Sequence, residues 1–89
     1  MLMSLNIRTY KEALKAARSY FKEQEPKTIP LIIEDGRDAK RIDMDAMREM
    51  WLATTNRIVL KAMPVNLLFE KYCEWVQKNY KRFLKSQGT

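Results

Sequence analysis

Pro26-Lys27-Thr28-Ile29-Pro30-Leu31-Ile32-Ile33-Glu34-Asp35-Gly36-Arg37-Asp38-Ala39-Lys40-Arg41-Ile42 is the stretch on which the fold turns. Two prolines open it. Proline inside a helix removes a backbone donor and crowds the preceding turn, so a helix entering from the N-terminal side is expected to stop near Glu25. Leu31-Ile32-Ile33-Glu34 is then a β-prone run, and Asp35-Gly36 is a pair that favours tight hairpin turns. Residues 26–42 read as a small β-hairpin between helices. The alternation in Arg37–Ile42 is poor, so an irregular connector with one or two short strands is the alternative.

On the N-terminal side, Thr9-Tyr10-Lys11-Glu12 fits a capping box, with Thr9 as N-cap and Glu12 three residues on. Tyr10, Ala13, Leu14, Ala17, Tyr20 and Phe21 then recur at helical spacing, which predicts a helix over 9–25. On the C-terminal side, Asp43 or Asp45 caps a second helix predicted over 43–63. Its apolar positions form two rows. Met44, Met47, Trp51, Thr55, Ile58 and Ala62 make one, and Leu52, Val59 and Met63 make another about 100° around. A helix apolar on two sides is expected to be central or to meet a second subunit. Thr54-Thr55-Asn56 is poor helix sequence, and a short strand near 57–62 is the alternative.

Pro64 is read as the first residue of a third helix over 64–86, with Gly88 beyond its end. Val65, Leu68, Phe69, Tyr72, Cys73, Val76, Tyr80, Phe83 and Leu84 keep an almost unbroken 3.6-residue period. The predicted fold class is mainly α, a compact three-helix domain with a small β-hairpin or irregular connector between helices 1 and 2. The alternative is α+β with a short third strand.

The chain has 89 residues, which is one domain's worth of sequence with a modest core. It is 46% hydrophobic and 31% charged, a composition that folds in water. It contains no histidine and one cysteine, Cys73. That removes Ser-His-Asp and Cys-His nucleophile arrangements and the common zinc sites. With no phosphate-binding glycine loop either, the chain is expected to be non-enzymatic and to need no cofactor. Glu34, Asp35, Asp38, Asp43 and Asp45 do not match a calcium loop, and they read as caps and turn formers. Cys73 reads as a small core residue and the six methionines mainly as core filler. With no signal-like or membrane-spanning run, a cytoplasmic location is expected.

The net charge of +6 is unevenly placed. Residues 1–25 hold five cations and three anions, residues 26–49 five and six, and residues 50–89 seven and two. Arg8, Lys11, Lys15, Arg18 and Lys22 fall within roughly 80° of one another if the first helix includes Arg8. Lys71, Lys78, Arg82 and Lys85, with Lys81 close by, form a second stripe on the third helix. Trp75 stands at its border, where a ring can stack on a base or close the rim of the core. Long cationic stems also cover the edges of apolar faces, which is the bland reading of both stripes.

Two stripes on separate helices favour a small nucleic-acid-associated protein that contacts phosphates through Arg8, Lys11, Lys15, Arg18, Lys22, Lys71, Trp75, Lys78, Lys81, Arg82 and Lys85. A helix-turn-helix around Met47–Tyr72 is conceivable, but its junction carries Pro64 instead of a small turn residue. The alternative is an inhibitor or adaptor, of the kind phages and plasmids encode, that docks on an acidic protein surface. The second apolar row, Leu52, Val59 and Met63, predicts self-association, most simply as a homodimer. A membrane-surface role ranks below these, because so small a core needs its apolar faces.

Overall fold

The computed structural model describes residues 8–34 and 36–85. It is mainly helical, with no strand among the described residues beyond a single antiparallel bridge between Ile42 and Leu84. Helix α1 spans Tyr10–Ile32, a 3₁₀ segment Gly36–Arg41, α2 Met44–Thr54, α3 Arg57–Ala62 and α4 Val65–Asn79. A second 3₁₀ segment, Tyr80–Phe83, continues α4. No described helix is long and apolar enough to cross a membrane.

The capping box forms as its residues dictate. The Thr9 hydroxyl accepts from the Glu12 amide at 3.1 Å, and the Glu12 carboxylate accepts from the Thr9 amide at 2.9 Å. Arg8 therefore lies before the helix and leaves the cationic stripe predicted for it. At its other end α1 does not stop at Glu25. It carries Pro26 and Pro30 inside it and ends at Ile32. The reason is a buried row at four-residue spacing, Ala13, Ala17, Phe21, Glu25, Ile29 and finally the C-cap Ile33. Both prolines lie on the exposed side. Proline in a helix interior costs about 3 kcal/mol relative to alanine, while burying each isoleucine returns roughly 1.5–3 kcal/mol.

Among the described residues the predicted hairpin is absent for the same reason, and Asp35 lies outside them. Leu31 and Ile32 are helical, with Leu31 82% exposed, and Gly36 starts a 3₁₀ segment. A type I′ turn needs positive φ at both central residues, and Gly36 does not have it. A β-carbon there would meet only the Pro30 carbonyl at an ordinary 3.7 Å.

The predicted second helix is two helices. The hydroxyls of Thr54 and Thr55 turn back to the carbonyls of Met50 and Trp51, at 2.9 Å and 2.6 Å, and α2 ends there. The Asn56 carboxamide oxygen then caps α3 by accepting from the amides of Ile58 and Val59. Residues 57–62 are thus helical, which removes the strand alternative. Ile58 points outward at 73% exposure, and Leu60 takes the core position instead. Asp43 is the residue that caps α2, accepting from the Ala46 amide at 3.0 Å. Pro64 is the N-cap of α4, not its first helical residue. The last predicted helical turns become 3₁₀ and then extended chain, where Asp43 donates to the Phe83 carbonyl and Lys85 to that of Arg41. Gly88 lies outside the described residues.

Helix α2 runs antiparallel to α1, pairing Arg18 with Glu49 and Glu25 with Arg48. Helix α3 returns to the start of α1, where Arg57 lies over the Tyr10 ring. Helix α4 then runs alongside α1 in the same direction, with Phe69 against Tyr20 and Tyr72 beside Glu25. Phe21, Trp51, Phe69 and Tyr72 meet at the centre. The Phe21 and Tyr72 rings stack at 4.7 Å, and Phe21 lies 5.5 Å from Trp51.

Candidate binding face

The predicted cationic residues divide by what they meet. Arg8 is committed to the fold, because its guanidinium donates to the carbonyls of Leu60 and Met63 at 3.0 Å and 2.7 Å. These are carbonyls that the end of α3 leaves without helical donors. Arg18 grips Glu49 with two bonds of 2.7 Å and 2.8 Å. That pair lowers the Glu49 carboxyl and raises the arginine, in each case first through the hydrogen bonding between them. Lys81 sits 3.7 Å from Glu34 on exposed surface. Trp75 is half-buried, stacked on Tyr72 and tilted against Phe83, so its ring closes the core. Lys11, Lys15, Lys71 and Lys78 are exposed and pair with no carboxylate among the described residues. Leu52 is 1% exposed inside the core, and Val59 and Met63 are half-buried against it. The second apolar row is therefore spent within the chain.

Helix α2 is where the two basic regions converge. Its Asp45 carboxyl is held below the usual carboxylate range, chiefly by the hydrogen bond and charge of Arg48. Lys22 of α1 lines a cleft together with Asp45, and Arg82 and Lys85 of the C-terminal segment line a shallow depression with Asp43 and Ala46, so cations of both basic regions flank the first turn of α2. Arg82 reaches toward Met50 of α2, 3.9 Å from its sulfur. On the α1 side, Lys15, Arg18, Ser19 and Lys22 line a shallow depression of about 250 Å³. The acids of this face are occupied. Asp43 caps α2, Asp45 pairs with Arg48 and Glu49 with Arg18. Lys15, Lys22, Arg82 and Lys85 supply its outward positive charge, and Asp45, 83% exposed, is the carboxylate that faces water among them.

Beneath the face lies a cluster that the sequence reading missed. Glu25 and Arg48 are each 3% exposed. Arg48 donates to Glu25 at 2.8 Å, the Tyr72 hydroxyl donates to the other oxygen at 2.9 Å, and Arg48 also pairs with Asp45. Burial pushes the Glu25 carboxyl up against the opposing effects of Tyr72 and Arg48. Burial also pushes up the Tyr72 hydroxyl, and it raises the Cys73 thiol to about 11. A thiol held that high carries little thiolate at neutral pH, as befits a residue half-buried against the core. The available signal for the cluster was Glu25 itself, which continues the four-residue row Ala13, Ala17, Phe21.

Above this cluster the surface opens into a cleft of about 520 Å³, walled by Pro26 and Pro30 of α1, Ala39 and Met44. Lys22 and Lys40 also line it, and Glu25, Asp45 and Arg48 supply its polar side. No protein family, curated protein or solved structure matches the chain.

Proposed function

We propose that this chain is a non-enzymatic nucleic-acid-binding protein whose α2 side lies against a phosphate backbone. The observation that carries the reading is that cations of both basic regions flank the first turn of α2, Lys22 lining a cleft with Asp45 and Arg82 and Lys85 lining a depression with Asp43 and Ala46, with Lys15 beside Lys22. Cations so placed form a positive surface from residues that do not neighbour one another in sequence. Of the eleven positions expected to bind, Lys15, Lys22, Arg82 and Lys85 carry that role on this face, Lys11, Lys71 and Lys78 add exposed positive charge, and Lys81 sits against Glu34. Arg8, Arg18 and Trp75 serve the fold. Recognition is through charge and shape, because the large aromatic rings are taken up by the core.

The test is fluorescence anisotropy with labelled duplex DNA, single-stranded DNA and RNA across a salt series. Neutralising about five phosphates predicts a 10²- to 10³-fold loss of affinity between 50 and 200 mM salt. Lys22→Glu combined with Lys85→Glu is expected to weaken binding more than tenfold at low salt and to make the salt slope shallower by about 2. Absence of binding to all three ligands at low salt would refute the proposal. Binding confined to an acidic polypeptide would favour the rival, an adaptor or inhibitor on an acidic protein surface.

A further inference from the structure

The cleft beside α2 has a composition that the phosphate-binding reading does not use. Pro26 and Pro30 stand four residues apart on one side of α1, and both face the cleft. Neither has an N–H, so the carbonyls of Lys22 and Pro26 lose the helical donor four residues on. The cleft gains the flat apolar rims of two proline rings. Met44 and Ala39 supply further apolar wall, and Asp45 adds an acceptor whose side chain is 83% exposed. The fixed Glu25–Arg48 pair makes a floor that cannot collapse into the space without stranding a buried charge. At about 520 Å³ the cleft lies in the range of small-ligand sites.

Its entrance is cationic and continuous with the proposed phosphate track. Lys22 lines both the cleft and the shallow depression formed with Lys15 and Arg18, and Lys40 stands on the cleft's own margin. A flat body of apolar faces and hydrogen-bond-donating edge, joined to a phosphate, matches this arrangement. We infer that the cleft receives one unpaired nucleobase of a single strand whose phosphates run along Lys15, Lys22 and Lys40. The inference rests on the nucleic-acid reading above and extends it to the form of nucleic acid preferred. In a duplex the bases are stacked and paired, so only an unpaired nucleotide can enter.

The experiment fills the cleft and compares strand forms. Ala39→Trp is expected to lower affinity for a 12-nucleotide single strand at least tenfold and to leave affinity for the matching duplex within twofold, with the circular dichroism of the wild type retained. Unchanged single-strand affinity in a folded Ala39→Trp protein would overturn the inference and leave the phosphate-binding proposal standing. No binding of either strand form by the wild type would remove both. A measurement on the wild-type protein guards against a variant that does not fold. With methyl-labelled methionine, adenosine monophosphate is expected to shift the Met44 methyl resonance, and ribose 5-phosphate at equal concentration is not. Equal shifts with both would show that the cleft senses phosphate alone, and they would overturn the base-binding assignment.

Discussion

Arg48 gives the sharpest test of the buried cluster. Replacing it with methionine keeps the stem volume but leaves the Glu25 carboxylate buried with only the Tyr72 hydroxyl. Breaking one side of a buried ion pair costs about 3–5 kcal/mol. The loss of the Asp45 contact adds little, because that carboxylate is exposed to water. Total stability for a chain of 89 residues is on the order of 4–13 kcal/mol. Arg48→Met should therefore remove a large share of it, and at about 4–8 °C per kcal/mol the melting midpoint should fall by at least about 12 °C. Removing both charges with Glu25→Leu and Arg48→Met leaves no buried charge and strands only the Tyr72 hydroxyl, so stability should return to within about 1–3 kcal/mol of the wild type. The sign of the pH effect follows from burial. A carboxyl whose folded-state pKa is raised contributes stability below its unfolded pKa, and that contribution is lost as pH rises through the folded value. The Arg48→Met penalty should accordingly shrink as pH falls, because the stranded Glu25 takes up a proton more readily than an ordinary carboxyl. Urea and thermal unfolding followed by circular dichroism, on both single variants and the double, measure these quantities. A single variant within about 0.5 kcal/mol of the wild type would refute the reasoning, as would a double variant whose loss equals the sum of the singles.

Pro30→Ala should stabilise the chain by about 1–3 kcal/mol, because it restores a helical donor at an exposed position and gives back only the smaller unfolded-state benefit of proline. A loss of stability in urea unfolding would contradict the helical course of α1 through residue 30. Arg8→Ala should cost about 1–3 kcal/mol through two charge-assisted bonds to α3, while Lys11→Ala and Lys15→Ala stay within about 0.5 kcal/mol. In anisotropy the order should reverse, with the lysine variants losing more affinity than Arg8→Ala. The Glu49 carboxyl is lowered by Arg18, so its contribution is present above about pH 4.3 and fades as pH falls. Glu49→Gln should flatten the decline in melting midpoint between about pH 5 and pH 3. At neutral pH it should cost no more than about 1 kcal/mol, since both partners are about two-fifths exposed.

What could be read from the sequence was what a few neighbouring residues decide among themselves. The Thr9–Glu12 box is a local hydrogen-bond arrangement that forms where its spacing placed it, and of the two candidate caps Asp43 and Asp45 the first caps α2. The break at Thr54-Thr55-Asn56 was visible as poor helix sequence. Its outcome depended on which end each polar side chain serves, with the threonines closing α2 and the asparagine opening α3. The site divides in the same way. Exposure of Lys11, Lys15 and Lys22 follows from the position of the apolar face. The commitment of Arg8 to Leu60 and of Arg18 to Glu49 spans 52 and 31 residues, and no local pattern carries it.

The prolines join these two levels. Local chemistry argues for a helix end at Glu25, and a sequence window that stops at Pro26 has no reason to disagree. The larger context reverses the result because Glu25, Ile29 and Ile33 must continue the row begun by Ala13, Ala17 and Phe21 if α2 and α4 are to be covered. The helix can persist because its missing donors fall on the solvent side, where each lost bond is a cost of about 3 kcal/mol and not a buried unsatisfied pair of groups. The same placement sets both proline rings on the wall of the cleft. Thus the feature that weakens α1 also supplies apolar wall beside Lys22, the cation shared by the cleft and the proposed phosphate track. Loss of helix stability and the wall of the cleft are then two consequences of one proline spacing, which is why the segment that misled the fold reading is also the segment that builds the candidate site.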